Sequence, residues 1–256
     1  MKPSASAELS LRSVAWARRK GMVKFIVGHV ISAKETSNVK AAVPPIPFAG
    51  SQLGNVRHVC AFFNNDDEKY RVLLPFIRDG FACGDKAVHV VNPDQCDDHK
   101  HRLTAAGIDL ETAKRKGQFE LHTNTDAYLR DGHFDQDRML EAFEQLASGN
   151  ATGGFPLSRI VCQMDWAGGN RSYTDDLVEF ESRVNHVWRQ HDDAVICVYD
   201  LAKFGGDMVV DMIRTHPMII IGGILYQNPF FVPPEEFLPE LRARRAGKEE
   251  PRPSPA

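Results

Sequence analysis

Between Arg57 and Ile221 the chain alternates short apolar runs with longer stretches whose apolar residues recur at helical spacing. His58 to Phe63 is apolar and free of Gly and Pro, which predicts a strand. After a polar cluster, Tyr70, Leu73, Leu74, Ile77 and Phe81 recur as one face of a helix, and Gly84 stands where that helix would stop. Ala87 to Val91 predicts a second strand. A helix over about 97–106 closed by Gly107 follows, then a shorter one ending near Gly117. Phe119 to His122 reads as a third strand, and Asp135 can cap a helix that presents Met139, Leu140, Phe143 and Leu146 on one side. Ile160 to Met164 and Ala194 to Tyr199 are further buried strands, separated by an amphipathic helix over about 174–189. Phe204-Gly205-Gly206-Asp207 opens another helix, and Met218 to Ile221 is a strand closed by Gly222-Gly223.

Strands alternating with helices in this way predict an α/β fold, a mainly parallel central sheet with helices on both faces. In nucleotide-binding folds of this outline the turn after the first strand is Gly-rich and ends in Lys-Ser/Thr, so that bare backbone N–H groups can approach phosphate. Here that turn is Asn64-Asn65-Asp66-Asp67-Glu68, with neither glycine nor lysine. Carboxylates stand where phosphate needs positive potential, so the outline is that of a degenerate P-loop. Asn65 or Asp66 can cap the following helix, and the same residues can also line a pocket.

Composition adds bounds. With 256 residues, 43% hydrophobic and 25% charged, the chain can bury one sizeable core. A formal net charge of −3 argues against a general electrostatic grip on nucleic acid. No segment is long and apolar enough to predict a membrane span, so neither membrane nor nucleic acid is an expected partner. Among the five cysteines, Cys60, Cys162 and Cys197 lie inside apolar runs, as small buried hydrophobes of a reducing, cytoplasmic compartment would. Residues 1–43 are basic and rich in Ser and Ala, and are expected to be a disordered tail. Their Arg/Ser bias fits an organellar transit peptide, and an upstream translation start fits equally. The Pro-rich Val43-Pro44-Pro45-Ile46-Pro47 then marks a boundary, giving an expected domain over 44–245 and a second disordered tail over 246–256.

Some side chains invite chemistry. Cys96 and His99 in CDDHKHR could share a helix face, but without a distant matching cluster a solvated helix start explains them better than a metal. Asp165 ends a strand where P-loop proteins hold magnesium, and without the phosphate loop it has no nucleotide metal to serve. Trp166 beside it can cap the core or wall a pocket, and Tyr199-Asp200 places an aromatic and a carboxylate at the same strand edge. His216 is read as a structural histidine ahead of its strand, because no catalytic partner identifies itself. No metal, cofactor or catalytic residue is expected.

The runs HVCAFFNNDDEKYRVLLPFIRDGFACGDKAVHVVNPD, MDW, VICVYDLAKFGGD and THPMIIIGGILYQNPFFVPPEEFL, in this order over roughly 50–245, resemble the MEDS domain, the methanogen/methylotroph sensory domain also found in a dichloromethane-responsive regulator. The resemblance implies a RecA-like α/β fold without Walker motifs that senses small hydrocarbon derivatives. Relatives often attach this domain to a DNA-binding helix-turn-helix or a histidine-kinase-type ATPase, and neither module is recognisable here. The leading reading is therefore a non-catalytic sensory domain that binds a small-molecule ligand at the C-terminal edge of the strands and signals to a protein partner. The expected ligand-binding residues are His58, Phe63, Asn64, Asp67, Tyr70, Asn92, Trp166, Tyr199 and Phe204. In this reading Trp166 and Tyr199 face one cavity shared with the 64–70 turn. The alternatives are an enzyme, a residual nucleotide hydrolase or another hydrolase using His58 or His216 with Asp165, and a pure interaction domain with a vestigial pocket.

A chain beginning near Pro44 should retain the thermal midpoint of the full-length protein, measured by calorimetry; a large drop would mean that the basic segment packs on the domain.

Overall fold

The computed structural model describes residues 43–169 and 171–249. Ile46–Phe48 (β1) and Ser51–Leu53 (β2) form an antiparallel hairpin. The chain continues through His58–Phe63 (β3), Asp66–Cys83 (α1), Lys86–Val91 (β4), Cys96–Ala105 (α2), Leu110–Arg115 (α3), Phe119–Thr123 (β5), Gln136–Gly153 (α4) and Ser158–Gln163 (β6). It ends with Arg171–Arg183 (α5), Asn185–Trp188 (α6), Ala194–Asp200 (β7), Gly206–Thr215 (α7), Met218–Ile221 (β8), Ile224–Gln227 (β9) and Pro234–Glu249 (α8).

The main sheet has the order β5-β4-β6-β7-β3-β8-β9 and is parallel except for β9, which returns antiparallel to β8. That return is made by Gly222 and Gly223 at φ of 60° and 78°, the left-handed pair that a two-residue hairpin loop needs. Because successive strand side chains point to opposite faces, Val59, Ala61 and Phe63 of β3 meet α1, α2 and α3, while Cys60 and Phe62 meet the α4 to α8 side. Helices thus cover both faces, as the alternation of patterns predicts. No helix among the described residues is long and apolar enough to cross a membrane.

Several details depart from the pattern. The helix expected over 174–189 is broken at Val184 into α5 and α6. His99, expected on a solvated helix start, is buried against the sheet. The proline-rich stretch is not a free linker: β1 lies within it, and Arg57 donates to the carbonyls of Pro44, Gly54 and Asp192, tying these segments to the base of β3. Residues 1–42 and 250–256 lie outside the described residues, and α8 runs through Glu249.

One buried arginine fixes α1 to the sheet. Arg159 of β6, buried, donates from Nε to Asp85 at 2.8 Å, from one terminal nitrogen to Asp79 at 2.7 Å and from the other to the Phe76 carbonyl at 2.6 Å. Gly80 is required beside it, since a Cβ there would stand 2.6 Å from Arg159 Cδ. Replacing Arg159 with Leu should leave Asp85 buried and unpaired and cost about 3–5 kcal/mol in urea unfolding. The double variant Arg159→Leu/Asp85→Leu should be less damaged, and equal losses in the two would show that the pairing is not the source.

Candidate functional site

The C-terminal edge of the sheet is closed at the turn after β3 by the turn's own side chains. Asn65 caps α1, accepting from the Glu68 N–H at 2.9 Å, and Glu68 reaches back past the cap to the Asn64 N–H at 2.9 Å, a variant of the capping box shifted by one residue. Asp66 holds Lys69 at 2.6 Å and Asp67 holds Arg102 at 3.1 Å. Two of the turn's backbone donors, Asn64 and Glu68, are thus consumed locally.

Three switch points lie along this edge. β3 and β4 send the chain to the α1–α3 face, whereas their neighbours β7, β6 and β5 send it to the other, and open α/β sheets bind ligands where connections diverge in this way. Between β4 and β6, Asn92 donates to Asp165 at 3.3 Å and takes the Gln163 side-chain oxygen on its N–H at 3.1 Å, while Asn124 donates to Asn92. Asp165 also accepts from Lys203 at 3.0 Å and from the Asp200 N–H at 3.2 Å. Between β3 and β7, a crevice lined by Phe63, Asn65, Lys69, Asp165 and Asp200 has a volume of about 10 Å³, room for about one water. The loop after β7 leads out of it into a groove of about 690 Å³ whose lining includes Lys203, Phe204, Met208, Val210 and Arg214. The groove is of ligand size.

A second polar constellation lies under α5 on the same face. Leu177, Phe180 and Val184 bury one stripe of that helix, and Glu181 falls on the same stripe with no exposed surface. Its Oε2 lies 3.3 Å from His58 Nε2, 3.3 Å from His216 Nε2 and 3.7 Å from Cys197 Sγ, and its Oε1 accepts from the Tyr199 hydroxyl at 2.8 Å. Cys197 Sγ is 3.6 Å from His58 Nε2. Burial alone would push the Glu181 carboxyl up, but the His216 and His58 imidazoles outweigh it and hold it well below the usual carboxylate range. Burial, then the His216 charge, lower His58, partly opposed by Glu181. Burial and the Glu181 charge push the Cys197 thiol and the Tyr199 hydroxyl well up, so both keep their protons at neutral pH.

The far side of each imidazole is held as firmly. His58 Nδ1 is 3.0 Å from Asn185 Oδ1, and the Asn185 amide nitrogen faces the carbonyls of Glu181, Ser182 and Thr215, which fixes Oδ1 as the acceptor and Nδ1 as N–H. His216 Nδ1 lies 2.8 Å from the Met212 carbonyl, which can only accept, so it too carries hydrogen.

The residues expected to bind ligand do not line one cavity. His58 sits at the opposite end of β3 from the C-terminal edge, because the apolar run begins rather than ends with it, and it joins Tyr199 in the buried cluster. Trp166 and Tyr199 do share the α4 to α8 face, but Trp166 stacks on Tyr128 at 5.1 Å and packs on Phe134 at 4.9 Å instead of opening a void toward the turn. Tyr70 points to the other face, where it bonds His99 at 2.8 Å, which in turn meets His89 at 2.9 Å. Phe63, Asn64 and Asp67 lie at or beside the β3 turn, Asn92 is in the edge network and Phe204 is in the groove. Asp165 and the histidines proposed as its hydrolytic partners belong to separate networks. Sequence reasoning passed over Glu181 and Asn185; the available signal was an acidic residue on the apolar stripe of an amphipathic helix.

Comparison with known proteins gives one family. The model of MEDS, the methanogen/methylotroph, DcmR sensory domain, matches residues 57–217. No curated protein matches the chain. Among solved structures, a KaiC-like protein from the hyperthermophilic archaeon Pyrococcus horikoshii is similar at 13% identity and a TM-score of 0.47, covering 68% of this chain and 72% of that one.

The Tyr70–His99–His89 chain makes stability depend on pH. Burial and the Lys69 charge hold His99 down at about 4, against about 6.5 in an unfolded chain. The unfolded state therefore binds the extra proton between these values, and the contribution is intact above about 6.5 and lost as pH falls through about 4. It should amount to about 3 kcal/mol of unfolding free energy between pH 7 and pH 4. His99→Gln should flatten the profile by that amount in urea titrations, and an unchanged slope would assign the effect to other groups.

Proposed function

The chain belongs to the MEDS family of sensory domains, and on that premise we propose that it is a non-catalytic sensor that binds a small, hydrocarbon-derived molecule in the groove beside Phe204 and relays occupancy to a protein partner. The observation that carries this reading is the loop after β7. The same few residues line the switch-point crevice through Asp200 and the groove through Lys203 and Phe204, and Lys203 pins the loop to Asp165 at 3.0 Å. A molecule wedged against Phe204 competes with that ion pair and so reaches the Asp165–Asn92 network across the sheet edge.

The groove suits a weakly polar ligand. Its arginines are already neutralised, Arg214 by Glu240 at 2.6 Å and Arg244 by Asp211 at 3.0 Å, which leaves the exposed Val210 and the half-buried Phe204 as apolar contact surface. The self-capped turn after β3 speaks against nucleotide, and the separation of Asp165 from His58 and His216 speaks against the hydrolytic alternative.

Ligand-observed NMR with dichloromethane, methanol and short-chain alcohols should show binding by at least one of them, weakened about tenfold or more by Phe204→Ala with the fold intact by circular dichroism. Binding unaffected by Phe204→Ala would remove the groove from the reading. Calorimetry should find no micromolar binding of Mg-ATP, and binding that vanished on replacing Asn64 and Glu68 with Ala would overturn the account of the turn.

A further inference from the structure

We propose that His58 Nε2, His216 Nε2, one carboxylate oxygen of Glu181 and Cys197 Sγ form a site for a divalent transition-metal ion of the zinc type, independent of the groove. These donor atoms, from a strand, a loop, a helix and a second strand, all lie within 4.8 Å of one another and are buried. Four of their six separations have the dimensions of a coordination shell. A tetrahedral ion with bonds of about 2.05 Å to nitrogen or oxygen and about 2.3 Å to sulfur sets ligand atoms about 3.35 Å apart along N–O edges and about 3.55 Å along edges to sulfur. The two His–Glu distances are 3.3 Å, and the sulfur lies 3.6 Å from His58 and 3.7 Å from Glu181.

Proton placement points the same way. Asn185 and the Met212 carbonyl require hydrogen on both Nδ1 atoms, so each neutral imidazole turns the lone pair of Nε2 toward the carboxylate. Lone pairs facing a carboxylate repel it, and a proton on both Nε2 atoms would bury an excess positive charge; a single proton balances the charge but leaves one lone pair turned on the carboxylate, and His216 Nε2 is buried without a hydrogen-bond partner. A dication removes both difficulties. With one carboxylate and one thiolate it sums to zero charge beside two neutral imidazoles, and binding releases the Cys197 thiol proton to solvent. The outer contacts are those that metal ligands use. The Nδ1 acceptors fix each ring, and the Tyr199 hydroxyl on Oε1 leaves Oε2 free to ligate. Two nitrogens, an oxygen and a sulfur suit zinc or cobalt and do not suit magnesium or calcium, which take oxygen. With four protein ligands and no exposed surface, the shell is of the closed kind, which holds a fold together.

The full chain should carry close to one zinc per molecule by mass spectrometry when purified from zinc-supplemented cells. After unfolding with a chelator and refolding with Co²⁺, it should show visible bands of tetrahedral cobalt and a near-ultraviolet thiolate-to-cobalt band. Cys197→Ser should lose the near-ultraviolet band, and Tyr199→Phe, which keeps the shape and removes only the hydroxyl, should weaken zinc about 10–100-fold in chelator competition. The wild-type measurements need no variant to fold. A folded wild type that retains no zinc and develops no cobalt spectrum on refolding would overturn the proposal. So would a cobalt spectrum unchanged in both Cys197→Ser and Glu181→Gln, which would put the ion elsewhere.

Discussion

A carboxylate removed from water costs several kcal/mol unless polar groups replace the hydration it loses, and Glu181, fully buried beneath α5, imposes that requirement on β3, β7 and the start of β8. His58, Cys197, Tyr199 and His216 are the groups that meet it. Each comes from a different place in the sequence, so the helix can dock in only one register against the sheet. A leucine at this position would allow α5 to slide by a turn at little cost; a buried anion with directional partners does not. The carboxylate therefore acts on the specificity of the fold as much as on its stability.

The opposite end of the sheet obeys a different constraint. A P-loop keeps its backbone donors bare for phosphate, whereas here the N–H groups of Asn64 and Glu68 are taken by the side chains of Glu68 and Asn65, and Asp66 holds Lys69. What remains open is displaced to the next switch point and outward along the loop after β7. The same parallel architecture that places a nucleotide at a strand edge can thus support a sensory domain, its rigid frame carried by Arg159 on one face and Glu181 on the other.

The sheet was legible because its strands are long apolar runs between helices of clear periodicity, and those patterns depend on burial alone. The capping role of Asn65 was legible for the same local reason, since a cap and its partner lie within one turn. The β1–β2 hairpin was not, because its strands are three residues each and lie next to prolines. α8 gave little signal, carrying Pro239 within it and few apolar positions. The buried cluster was the least visible feature. Residues 58, 181, 197 and 216 have no common spacing, and the distance between His58 and His216 in sequence closes only when β8 pairs with β3. His216 and Cys197 look like ordinary core residues until Glu181 is placed between them, and Trp166 and Tyr199 look like pocket walls until their packing partners are known.

Helix α7 has a consequence beyond its packing. It borders the groove along its length, from Gly206 to Arg214, and it also supplies the Met212 carbonyl that orients His216. A ten-residue helix is a stiff rod of about 15 Å, so its two ends translate and rotate together. A displacement of that rod would carry Met212 along and change the angle at which His216 meets Glu181. The surface recess and the sealed charge cluster therefore share one rigid element, which ties the geometry of the interior to that of the exterior.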